Sequence, residues 1–114
     1  MAIAIDKSAG TATYSSGDRE YVGSLNLAAL MKCEELLEIK LHELEERLSQ
    51  PSALDISCVI FAAFWAHDDS QFSSIKDASA IFKKLPEAVE FVQALSSAAG
   101  IESSEVEGEA SSGK

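Results

Sequence analysis

The sequence predicts a mainly α protein, a compact bundle of about four helices with a short N-terminal β-hairpin and flexible termini. Three observations carry that expectation. Apolar residues recur at helical spacing from Leu27 onward. Capping signatures and Pro or Gly breaks divide that region into segments. Apolar residues make up 46% of 114 positions, enough for the core of one domain and no more.

Taken in order, residues 1–10 alternate only weakly, through Ile3 and Ile5, before Lys7-Ser8-Ala9-Gly10, and read as a flexible N-terminal arm. The domain proper is expected over 11–101. It opens with β-forming segments at Thr11–Tyr14 and Arg19–Ser24, joined by a Ser15-Ser16-Gly17-Asp18 loop. Gly and Asp supply the turn conformations such a hairpin needs. An isolated hairpin is marginal, so this one must lie against the helices.

Asn26 reads as the N-cap of a first helix, because its side chain can accept a backbone N–H of the first turn. Leu27, Leu30, Leu37, Leu41, Leu44 and Leu48 fall on one stripe of it. The helix runs to Gln50, since a residue before proline avoids the α region. Ser52 and Asp55 have capping-box spacing and open a second helix to about His67. Leu54, Ile56, Val59, Ile60, Phe61, Phe64 and Trp65 make that helix apolar nearly all round, so it belongs at the centre with Trp65 as a core anchor. Ser74 and Asp77 open a third, with Ile75, Ala78, Phe82 and Leu85 inward. Pro86 suits the first turn of a fourth helix and Gly100 its C-terminal cap. Residues 102–114, rich in Glu, Ser and Gly, read as a disordered acidic tail that cannot bury enough to offset ordering entropy.

A net charge of −10 removes the basic stripe that nucleic-acid binding needs, and it disfavours anionic membrane surfaces. The longest apolar run, 56–66, is too short to span a bilayer. Cys33 and Cys58 lie among apolar neighbours, where cysteine behaves as a small hydrophobe; the expectation is two reduced, buried thiols. No zinc spacing and no phosphate-cradling glycine pattern occurs, so no metal or cofactor is expected. His67-Asp68-Asp69 is the one cluster with catalytic vocabulary, and it reads as a helix end followed by a solvated turn. His42, among Glu43, Glu45 and Glu46, reads as an ordinary exposed helical histidine. Without a catalytic constellation, the sequence points to a protein-binding function and not to an enzyme.

Three positions are candidates for partner contact. Glu34 interrupts the leucine stripe, either as a carboxylate at its wet edge or as a contact residue. Leu36 and Ile39 project from the side opposite that stripe, either as scattered surface residues or as the seam for a second chain.

The order of parts resembles the tail assembly chaperones of long, non-contractile-tailed bacteriophages and gene transfer agents. A strand-like Asp18-Arg19-Glu20-Tyr21-Val22 precedes Leu25-Asn26-Leu27-Ala28-Ala29-Leu30. Lys32-Cys33-Glu34-Glu35-Leu36-Leu37, an apolar helix ending at Trp65-Ala66, and two short capped helices follow. The likeness covers residues 18–100. It implies a protein of the host cell cytoplasm, absent from the mature virion, which holds the tape measure protein in solution and yields it to polymerising tail tube subunits. A virion connector protein and an acidic host-directed binding module are the alternative readings. A homo-oligomeric state is left open.

Overall fold

The structure, a computed structural model, describes residues 2–100. Three strands come first: β1 (Ile3–Asp6), β2 (Thr11–Ser16) and β3 (Arg19–Ser24). The helices follow as α1 (Leu27–Leu37), α2 (Leu41–Ser49), α3 (Ala53–His67), α4 (Ile75–Ala80) and α5 (Leu85–Ala99). This corrects the expected fold class. The chain is α+β, an antiparallel β1-β2-β3 sheet packed with its helices, and not a mainly α bundle carrying a hairpin.

The expected flexible arm is the source of the difference, since residues 3–6 form β1. Ile3 sits opposite Tyr14 and Ile5 opposite Ala12, so the two isoleucines extend the apolar face that β2 already presents. Two alternating residues are too short a signal to announce a strand; pairing with β2 makes them one. The β2–β3 hairpin forms as expected, but its strands run further. Ser16 pairs with Arg19, leaving a two-residue Gly17-Asp18 loop with Gly17 at φ 65°. A positive φ at the first loop position matches the twist of the flanking strands.

The inner face of the sheet carries Ala12, Tyr14, Tyr21 and Gly23, with α3 and α5 against it. Gly23 marks the closest approach. A Cβ there would lie 3.2 Å from Leu95 Cδ2, 3.3 Å from Ala63 Cβ and 3.4 Å from Phe64 Cδ1. The outer face is Thr13, Ser15 and Glu20, as expected of a sheet with one wet side.

The expected first helix is two helices. Glu38 adopts the left-handed conformation at φ 57°, and its N–H caps Glu34 O. Lys40 then begins α2, with its N–H donating to Glu43 Oε1 at 2.9 Å. A single helix over 27–49 would be about 35 Å long, against about 22 Å for the α3 it covers. Its far apolar stripe would hang in water. Breaking at Glu38 folds Leu44 back into the core, with Leu36, Leu37, Ile39 and Leu48 packed against it. No Gly or Pro announces the turn, because the packing imposes it.

The second expected helix, α3, forms as read. The Ser52 hydroxyl accepts from Asp55 N–H at 3.1 Å, and Asp55 Oδ2 accepts from Ser52 N–H at 3.0 Å. Phe64, Val59 and Ile60 are fully enclosed. Phe64 anchors an aromatic chain, stacking on Phe91 with centroids 5.3 Å apart and tilting against Phe72 at 5.1 Å. Phe91 in turn meets Phe82, which meets Tyr14 of the sheet at 4.4 Å. Helix α4 ends at Ala80, earlier than expected; Leu85 instead opens α5 and is exposed. Gly100 caps α5 at φ 79° as read. The expected acidic tail, residues 102–114, lies outside the described residues.

Candidate protein-binding surface

The outer line of α1 is set by its inner one. Ala29 and Cys33 are both 0% exposed, and their small side chains let α1 lie close along α3. At about 100° per residue, Leu36 falls within about 20° of Ala29, on the same buried line. Leu27 and Met31 fall about 160° from it, on the far side. Leu27 is accordingly 70% exposed and Met31 60%. Two large apolar side chains thus stand one turn apart, facing water.

This reverses part of the sequence reading. Leu36 and Ile39, expected opposite the core, are half-buried and packed against it. Leu27 and Leu41, expected on the inward stripe, are exposed. Leu44 is buried and Leu30, Leu37 and Leu48 pack against the core as expected, so the leucine stripe holds at four of its six positions; the small pair Ala29 and Cys33 was the signal for the centre of the buried face. Glu34 is half-buried and lies on the Leu27–Met31 line, one turn further along. Its backbone carbonyl takes N–H bonds from Glu38 and Ile39.

Trp65, which the sequence placed in the core, meets the flank of α1 at Ala28 and Lys32. Its ring is half-buried at the end of α3, with Lys32 Nζ 4.7 Å from the centroid. Lys32 also pairs with Glu35 at 3.2 Å. An open cleft of about 540 Å³ runs from Ala28 past Trp65 and Ala66 to His67, Asp68 and Asp69. Asp68 is engaged locally: its Oδ1 accepts from the Ser70 hydroxyl at 2.6 Å and from Ser70 N–H at 3.0 Å. Those two bonds, the hydroxyl first, hold its carboxyl below the usual range. The cluster therefore places a solvated turn along a mixed, mainly polar cleft, whose lining among the described residues includes no nucleophile. Among the described residues, no group of three His, Cys, Asp or Glu is gathered as a metal site. His42 is exposed on α2.

The cysteines are free and buried. Burial, with Cys58 and Glu34 adding, pushes the Cys33 thiol up to about 12; burial also raises Cys58. Neither is a thiolate near neutral pH, so neither is a nucleophile. A second, smaller groove of about 150 Å³ lies between α3, α4 and α5, lined by Ile56, Ile60, Phe82 and Ala88. No helix is long and apolar enough to cross a membrane among the described residues.

No family model, curated protein or solved structure matches the chain.

Proposed function

We propose that this chain is a tail assembly chaperone that holds the tape measure protein by an amphipathic helical segment. The observation that carries the binding surface is the exposed Leu27–Met31 pair on the outer side of α1, the helix whose flank meets Trp65 at Ala28 and Lys32. An apolar helix stripe laid along that line would cover both side chains and run past the flank of α1 on which Trp65 packs. Glu34 continues the line, so the bound segment carries Lys or Arg one turn beyond its apolar anchors.

The identity of the partner rests on the resemblance in the order of parts. The physics agrees with it in two respects. A long helical tape measure exposes repeated apolar stripes that aggregate when uncovered. A binder of net charge −10 stays soluble while it covers them.

Burying a Leu or Met side chain fully is worth about 1.5–3 kcal/mol, so covering the exposed parts of these two contributes roughly 2–4 kcal/mol before association costs. That is a holding contact, suited to release when tube subunits compete. The test is co-expression of the chain with a tape measure protein. The reading expects the tape measure to move from the pellet to the soluble fraction and to co-purify. Leu27→Glu with Met31→Glu should return it to the pellet while the double variant melts like the parent. A tape measure that stays insoluble beside the folded parent chain would sink the reading.

A further inference from the structure

The two edges of the sheet are finished differently. On β3, the Gln71 side chain acts as a substitute peptide group. Its Oε1 accepts from Val22 N–H at 3.2 Å, and its Nε2 donates to Val22 O at 2.9 Å and to Phe64 O at 3.0 Å. A strand approaching that edge would have to displace an amide already bonded to both groups of Val22. Edge protection of this kind is what keeps sheets from pairing with other chains.

Among the described residues, β1 has no such cover. Its register with β2 and the bond from Ser15 N–H to Ala2 O, 2.7 Å, fix which groups face β2. Antiparallel pairs alternate, so residues 2, 4 and 6 turn their backbone toward β2, and Ile3 and Ile5 turn theirs outward. No lysine, proline or bulge interrupts Ile3-Ala4-Ile5. Ile5 lies on the core face of the sheet, opposite Ala12, yet is 47% exposed, with no further strand beyond it among the described residues. The apolar layer between sheet and helices is therefore open on this side.

We propose that this edge is an interface between two copies of the chain, whose β1 strands pair antiparallel to give a continuous six-stranded sheet. The spacing of the outward groups makes β1 complementary to itself. With a two-fold axis at Ala4, Ile3 of each copy faces Ile5 of the other and exchanges two backbone hydrogen bonds, four in all. Both Ile5 side chains then gain an apolar neighbour on the core face, and the small Ala4 pair meets at the axis on the wet face. A four-residue strand buries far less than the roughly 1,200 Å² of a stable interface, so the dimer is weak. Repulsion between two copies of charge −10 weakens it further, and salt strengthens it.

The inference stands apart from the proposed chaperone role and uses different residues. Analytical ultracentrifugation of the full chain, without an N-terminal extension, tests it from about 10 µM to 1 mM, the range expected for a contact below standard size. The expected result is a monomer–dimer equilibrium in that range, shifted toward dimer by 0.5 M salt, a concentration at which the Debye length falls to about 4 Å. Amide exchange at Ile3 and Ile5 should slow as concentration rises. Ile5→Pro removes only an outward N–H and should weaken dimerisation at least about tenfold, as should Ile5→Lys, which places a charge where edges are normally guarded. If the proline variant unfolds, the lysine variant decides. A chain monomeric throughout, or a dimer that survives Ile5→Lys unchanged, would overturn the proposal.

Discussion

Arg47→Ala should destabilise the fold in a manner that depends on pH, and the structure gives both size and sign. Asp55 is 3% exposed at the start of α3, with Oδ1 accepting from Arg47 Nη1 at 3.0 Å and Oδ2 from Ser52 N–H at 3.0 Å. Burial alone would push its carboxyl up. The Ser52 N–H, the Arg47 guanidinium and the Ser52 hydroxyl outweigh burial and hold it below the ordinary value. Removing Arg47 leaves a buried carboxylate with its backbone bond but no countercharge. Losing one partner of a buried pair costs about 3–5 kcal/mol, and a charged hydrogen bond is worth about 1.5–3. The Arg47 side chain is 44% exposed, so water reaches the vacated position and the lower range applies, about 1.5–3 kcal/mol. A carboxyl with a depressed folded-state pKa contributes stability above its unfolded value, near 3.9, and loses it as pH falls through the folded one. The deficit of Arg47→Ala should therefore be full at pH 7 and shrink below about pH 4. Urea melts followed by far-ultraviolet circular dichroism at pH 7 and pH 3 measure both. A variant as stable as the parent at pH 7, or a deficit that does not shrink in acid, would refute the reasoning.

Two further outcomes test the packing. Gly23→Ala places a methyl within 3.4 Å of the Leu95, Ala63 and Phe64 side chains, so these neighbours on α3 and α5 must give by a few tenths of an ångström. Overpacking of that kind should cost about 1–3 kcal/mol in the same melts, and a neutral result would mean the interface is looser than described. Cys33 and Cys58, 0% and 1% exposed, should resist a thiol reagent at pH 8 in the native state and react once urea unfolds the chain. Labelling of either at the rate of a free thiol would place it outside the core.

What the sequence made legible is where local chemistry decides the outcome. Asn26, Ser52 and Ser74 each accept the N–H bond their capping positions announced, and Gly100 takes its left-handed conformation. The uninterrupted apolar run of α3 placed it at the centre correctly. Features fixed by distant parts of the chain were not legible. β1 exists because Tyr14 and Ala12 await partners, and Glu38 turns because α3 is too short to cover a longer helix. The same blindness misplaced the candidate site. On α1 the close approach of α3 centres the buried face on Ala29 and Cys33, with Leu30, Leu36 and Leu37 around them and Leu27 left outside. Trp65 follows from the same geometry: it closes the helix as read, but at an end where α1 covers one side of its ring. Glu34 kept a place at the surface, beside residues that the periodicity had turned inward.

Trp65 is the single tryptophan of the chain and packs on the flank of α1, the helix that carries the proposed binding line, so its fluorescence tests the central claim most directly. The measurement is a titration with a soluble helical segment of a tape measure protein carrying apolar residues at i and i+4 followed by Lys or Arg. Covering α1 beside the indole should shift its emission to shorter wavelength, saturably, at one segment per chain. Leu27→Glu with Met31→Glu should weaken the titration by at least about tenfold, which corresponds to about 1.4 kcal/mol, less than the roughly 2–4 kcal/mol assigned to the pair. Tight binding with no change at Trp65, or binding unaffected by the double substitution, would contradict the account.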